Sequence, residues 1–105
     1  MPPPRKYLLV IQVPIASVGD FDRLVEAEER IEALLGELGQ VSGHDTDSGE
    51  GNLFITTDIP EVAFQKALPC LDERIRDLAR AAYRETEGES FTVLWPPGLK
   101  EFRVI

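Results

Sequence analysis

The chain has 105 residues and a mass of 11.7 kDa, the size of one ordinary domain, with 43 % hydrophobic and 29 % charged residues. That composition excludes a disordered chain; a single cysteine, Cys70, excludes an internal disulfide framework, and a single histidine, His44, excludes a metal centre built on two imidazoles. Nineteen acidic against eleven basic residues leave a net charge of −8, which argues against nucleic acid and against anionic membrane surfaces as partners.

Pro2, Pro3 and Pro4 make residues 1–5 a short stiff tail in front of a single domain over 6–105. Arg5 and Lys6 before the apolar run from Tyr7 to Ile11 mimic the opening of a secretory signal. Gln12 and Pro14 interrupt that run, so it is read as a buried strand, and no run reaches the about 18 apolar residues of a membrane span. The expected location is the cytoplasm, with Cys70 reduced.

The first strand is expected over Lys6–Val13, apolar on both faces and therefore central. A helix follows from Asp20 as N-cap, with Leu24, Ile31, Leu34, Leu35 and Leu38 on its buried stripe and Gly39 as its stop. Glu26, Glu29, Arg30, Glu32 and Glu37 fall on its solvated face. A weak second strand over Gln40–Asp45 and a third over Asn52–Thr57 are joined by the turn formers of His44–Gly51. Asp58-Ile-Pro-Glu61 has the form of a capping box, and Phe64, Leu68, Leu71, Ile75, Leu78 and Ala82 then recur at steps of 4, 3, 4, 3 and 4. These predict a second helix, kinked or divided at Pro69. A fourth strand over Ser90–Trp95 is followed by the Pro96-Pro97-Gly98 turn and a tail carrying Phe102, Val104 and Ile105.

The order β-α-β-β-α-β implies an α+β fold. With right-handed crossovers it is the ferredoxin-like plait, a four-stranded antiparallel sheet in the order 4-1-3-2 with two helices on one face and a C-terminal tail. In that topology the loop after the first strand, the hairpin and the loop at Glu85–Glu89 share one end. Asp20, Asp45, Asp47, Glu50, Glu85 and Glu87 then form an acidic edge with His44, a candidate site for a ligand or partner. Residues 1–62 hold 12 acids and 4 bases, and residues 63–105 hold 7 of each, so the acidity belongs to one part of the molecule and favours a cationic partner. The sheet face without helices is expected to carry Leu8, Val10, Phe54 and Leu94, a candidate interface for a homodimer or another protein unless the tail covers it. Tyr7, Leu9, Ile11, Leu53, Ile55, Phe91, Val93 and Trp95 are expected to face the helices.

Strong catalytic or metal motifs are missing. Asp45-Thr-Asp47-Ser-Gly49 has the opening of a calcium loop, but its twelfth position is Thr56 and its flanks are strands, so a hairpin turn explains it and no metal is assigned. His44 with Asp45 invites a general-base reading, yet neighbours on a strand point to opposite faces, so Asp45 is not expected to orient it. Cys70 lies beyond Pro69, away from His44, and is read as an idle or structural thiol. Gly43, Gly49 and Gly51 lack the following helix and the lysine of a phosphate loop. Arg76, Arg80 and Arg84, four apart, are taken as a salt-bridged stripe of the second helix with Asp72, Glu73 and Asp77.

The segment from Gly43 to Asp58, together with Leu94-Trp-Pro-Pro-Gly98, resembles a group of small uncharacterised bacterial single-domain proteins with a ferredoxin-like plait. The resemblance implies the fold and brings no catalytic residues with it. At the level of fold alone, the plait is also similar to ligand-sensing regulatory domains and to dimeric barrel-type monooxygenases. The expected function is a non-catalytic binding or protein-interaction module without a cofactor, for instance an inhibitor or immunity-type protein for a basic partner. The alternative is a small-ligand or metal-dependent enzyme using the acidic end with His44, Asp45, Asp47 and Glu50.

Overall fold

β1 (Tyr7–Pro14) stands in the middle of a five-stranded antiparallel sheet in the order β2-β3-β1-β4-β5. Its place follows from its side chains, since Leu9, Val10 and Ile11 are all fully buried and only a strand covered on both faces buries consecutive residues. The computed structural model describes residues 5–47 and 49–104; the expected proline tail over residues 1–4, Ser48 of the hairpin and Ile105 lie outside them. Arg5, expected in the tail, donates from Nη1 to the Glu37 carbonyl at 2.9 Å, so anchoring begins before β1.

α1 (Val18–Leu35) starts three residues earlier than expected, because Ser17 and not Asp20 is the N-cap: its hydroxyl accepts from the Asp20 N–H. Leu24, Ala27, Ile31 and Leu35 form the buried stripe, while Leu34 is 53 % exposed. The helix ends at Gly36 with φ 53°, and a 3₁₀ turn over Gly36–Leu38 leads into β2 (Gly39–Asp47), which pairs with β3 (Glu50–Thr57). The Asp58 capping box does not form. Asp58 instead accepts from the Lys6 N–H at 2.8 Å, while Thr57 Oγ1 accepts from the Ile59 N–H and donates to the Leu38 carbonyl at 2.7 Å.

The largest departure from expectation lies after α2 (Pro60–Ala67). Pro69 divides the expected helix, ending α2 in a 3₁₀ turn over Leu68–Cys70. A single helical turn, α3 (Glu73–Arg76), follows, and the chain then extends as β4 (Arg80–Glu85) beside β1. The place expected for Ser90–Trp95 next to β1 is therefore taken by β4, and Thr92–Trp95 becomes the outer strand β5. The sheet has five strands, not four, and its order is not 4-1-3-2. Leu78, expected on the buried stripe, is 63 % exposed, whereas Ala82 is buried as a strand residue. The arginine stripe dissolves as well: Arg76 Nη2 donates to the carbonyls of Pro69 and Leu71, and Arg84 Nη1 to those of Glu85, Thr86 and Gly88.

One sheet face packs under the helices. Leu9, Ile11 and Val13 of β1, Leu53 and Ile55 of β3 and Ala81 of β4 meet Leu24, Ile31 and Leu35 of α1 and Ala63, Phe64 and Ala67 of α2. Each large aliphatic side chain so buried contributes roughly 1.5–3 kcal/mol. The chain's own C-terminal segment lies on the other face. The Arg103 carbonyl accepts from Gln12 Nε2 at 2.8 Å, and Phe102 packs on Phe91 with ring centroids 5.1 Å apart. Phe91 in turn lies under the Arg84 guanidinium at 5.9 Å, so Phe91 belongs to this tail-covered face and not under the helices. Val93, opposite Ala82, joins it.

Gly51 is the most closely packed of the described glycines. A Cβ there would stand 2.8 Å from Leu24 Cδ2 and 2.9 Å from Ile15 Cγ1, and Leu24 is fully buried and cannot swing away. Gly51→Ala is expected to lower stability by about 1–3 kcal/mol in urea unfolding. An unchanged midpoint would mean that Ile15 yields without strain.

Candidate functional site

The hairpin end of the sheet holds the only histidine, and a backbone irregularity decides where it points. The β2–β3 register slips between Val41 and Gly43, where Gly43 adopts φ 141°. Val41 pairs with Ile55, Gly43 with Phe54 and His44 with Leu53. One extra residue in β2 exchanges its faces from that point on. His44 therefore turns toward α1, and Asp45 and Asp47 turn to the tail-covered face.

On the α1 side, His44 Nδ1 lies 2.6 Å from Glu28 Oε2, and the Phe21 ring meets the imidazole edge-on at 5.5 Å. Both partners of the pair are partly exposed, with 30 % and 19 % of their side-chain surfaces open. Asp45 is indeed not the partner of His44. Sequence reasoning missed Glu28, although a signal was present: it falls four residues after Leu24 and three before Ile31, a carboxylate on the otherwise apolar stripe of α1. The pair ties the middle of α1 to the outer strand β2.

On the opposite face a row of polar side chains crosses the sheet. Asn52 Nδ2 donates to Asp45 Oδ1 at 2.9 Å, and Gln12 Nε2 donates to Asn52 Oδ1 at 3.0 Å. Gln12 and Asn52 are 5 % and 1 % exposed, so these bonds satisfy groups withdrawn from water. Asp47 stands opposite Glu50 in the register, and Glu50 opposite Pro14. Asp20 is occupied elsewhere, accepting from the Ala16 N–H at 2.9 Å and from Arg23 Nη1 at 3.1 Å at the start of α1.

The expected acidic edge is thus only partly assembled. Asp20, Asp45, Asp47 and Glu50 lie toward the hairpin end, but His44 points away from the last three across the sheet. Glu85 leaves the group, because β4 runs antiparallel to β1 and places Glu85 opposite Tyr7, at the far end. The Glu87 loop is at that end too, where the Thr86 N–H donates to the Lys6 carbonyl. Among the described residues no three His, Cys, Asp or Glu side chains are grouped to hold a metal ion. Cys70 lies half-buried after α2 with Sγ against the Lys66 carbonyl at 3.7 Å; burial pushes its thiol pKa up, Arg30 opposing, which disfavours the nucleophilic thiolate.

Of the candidate interface residues, Leu8, Val10 and Phe54 share the tail-covered face, where Val10 pairs with Phe54 and with Ala82. Val10 and Ala82 are fully buried within the single chain, and Leu8 and Phe54 are half-buried. Leu94 packs with Trp95 against the helix-side core and does not belong to that face. The bulge between Ala81 and Ala82, where β4 meets β5, breaks the alternation that placed it there.

The outer side of α1 is strongly charged. Asp22, Glu26, Glu29, Glu32 and Glu37 are all exposed along α1 and the turn after it, with Arg30 set against Glu26 at 4.0 Å. His44–Glu28 holds this helix beside β2, an outer strand of the sheet. No helix among the described residues is long and apolar enough to cross a membrane. Comparison with models of known families, with curated proteins and with solved structures finds no match.

Asp20 supplies a pH test of the α1 start. The Ala16 N–H holds its carboxyl below the ordinary 3.8 against the opposing effect of burial, and Arg23 and then Ser17 add to the lowering. A depressed carboxylate pKa stabilises the fold above the unfolded value, and that contribution is lost as pH falls through the folded value. Asp20→Asn is therefore expected to be less stable than the parent chain near neutral pH. The gap should close in acid, below 3.8. Urea unfolding of both chains along a pH series measures this, and a gap independent of pH would assign the loss to geometry and not to charge.

Proposed function

We propose that the chain is a non-catalytic binding module that docks a basic protein on its α1–β2 side, in the manner of an inhibitor or immunity-type protein, and that β1 to β4 with α1 and α2 form a ferredoxin-like plait extended by β5. The plait reading is supported by the succession β1-α1-β2-β3-α2-β4 and by the pairing of β1 with both β3 and β4. The docking reading rests on one observation above all. Five exposed carboxylates at 22, 26, 29, 32 and 37 follow α1 and its terminal turn, against two arginines of the helix, Arg23 paired with Asp20 and Arg30 beside Glu26. Such a surface attracts cationic partners at long range and speeds their encounter more than it adds to affinity.

The enzyme alternative draws less support. Its four residues divide between the two faces of the sheet, with His44 tied to Glu28 and Asp45 to Asn52. Self-association through the helix-free face also draws less support, because Val10 and Ala82 are already covered.

The test compares affinity capture from native host extract by the parent chain and by a Glu26→Lys, Glu29→Lys, Glu32→Lys variant. A basic protein held by the parent, released by salt and weakened about tenfold or more by the variant is the expected outcome. Indistinguishable capture profiles would refute the acidic face as the docking surface. Retention that is insensitive to salt would refute the electrostatic basis.

A further inference from the structure

We propose that the hollow at the Pro14 end of β1 binds a small zwitterion with an aliphatic side chain, of the class of free α-amino acids. The hollow has a volume of about 230 Å³ and is lined by Gln12, Val13, Pro14, Glu50, Leu78 and Arg80. That is below the ~300–1,000 Å³ of pockets for drug-sized ligands, so its occupant is small.

The charges flanking the hollow define the chemistry. Glu50 on β3 stands opposite Pro14, and Arg80 on β4 stands opposite Gln12. Strand alternation puts both on the same face as Gln12, with β1 between them. Neighbouring strands lie about 4.8 Å apart, so the two backbones are separated by roughly 10 Å. One anion and one cation thus approach the hollow from opposite sides. Neither side chain has a hydrogen-bond or ion-pair partner among the described residues. The other charged groups of this face are engaged, including Asp47, which stands opposite Glu50 and has a partner of its own. Arg84 holds three carbonyls of its own loop, Asp45 accepts from Asn52, and Arg103 lies 3.9 Å from Glu101.

The remaining wall is apolar or fixed. Leu78 is 63 % exposed at the rim, next to Val13 and Pro14. The Gln12 amide is held by Asn52 and by the Arg103 carbonyl, so that part of the lining is set in advance of binding. An α-amino acid meets all three demands. Its carboxylate takes the Arg80 guanidinium, its ammonium takes the Glu50 carboxylate, and an aliphatic side chain covers Leu78. A simple anion would leave Glu50 facing a like charge, and a simple cation would do the same to Arg80, so the pair selects against both. The site is separate from the outer side of α1 and does not rest on the docking proposal.

The experiment is a titration of the ¹⁵N-labelled full chain with L-leucine and L-valine, followed by amide chemical shifts. Saturable shifts centred on Gln12, Glu50, Leu78 and Arg80 are expected. Arg80→Gln and Glu50→Gln, both surface changes compatible with the fold, should each weaken binding by about tenfold or more. N-acetyl-L-leucine, which lacks the ammonium, should bind the parent poorly and gain affinity in Glu50→Gln, a response that a merely structural role for Glu50 does not produce. The proposal is overturned if neither amino acid gives a saturable shift up to tens of millimolar, if the shifts centre elsewhere, or if both variants bind as the parent does.

Discussion

The fold depends on β1 being covered from two sides at once. A strand with Leu9, Val10 and Ile11 all withdrawn from water has no polar face to offer, so each side of the sheet needs its own lid. The helices supply one, through Leu24, Ile31, Leu35 and Phe64. The other is a segment without regular structure, pinned by the Arg103 carbonyl on Gln12 and by Phe102 on Phe91. The two lids differ in kind. The helical one is held by a continuous aliphatic core, the other by an aromatic contact and a backbone acceptor set against a buried amide.

This asymmetry arranges the surfaces that carry function. Because the helix-free face is largely occupied by the chain itself, the charged outer side of α1 and the hollow beside Pro14 become the open chemistry of the molecule. The first is strongly acidic. The second is lined by one carboxylate, Glu50, and one guanidinium, Arg80, with Asp47 across from Glu50 on β2. That contrast follows the sequence, whose acidity is confined to residues 1–62, since Arg80 comes from the neutral remainder.

Much of this was legible from residue order alone. The central strand, the stripe of α1, the hairpin and the break at Pro69 follow from elementary patterns of apolar residues and turn formers. β4 was hidden for a definite reason. Arg76, Arg80 and Arg84 are four apart, and a step of four returns to the same face both in a helix and in a strand. Ala79, Ala81 and Ala82 then favoured the helical reading by propensity, and the need of β1 for a second neighbour overrode it. Leu78, expected to be buried, is exposed as a result, while Ala82 is buried in the sheet instead of on a helix stripe. The face of His44 was hidden by a single residue, since the slip at Gly43 inverts every side chain beyond it. Glu28 was legible in principle, as a carboxylate on an apolar stripe, but its partner became evident only once the slip had turned His44 toward it.

The same slip has a further consequence for how the molecule behaves in a crowd. β2 is a nine-residue outer strand, long enough to template the addition of another strand, which is the usual route by which sheets grow from one chain into the next. A bulge near its middle bends the rail of backbone donors and acceptors, and Asp45 and Asp47 load its end with like charge. Two copies brought edge to edge would meet out of register and repel. The irregularity that aims one imidazole thus also works as a guard against aggregation, placed on the strand that needs it most.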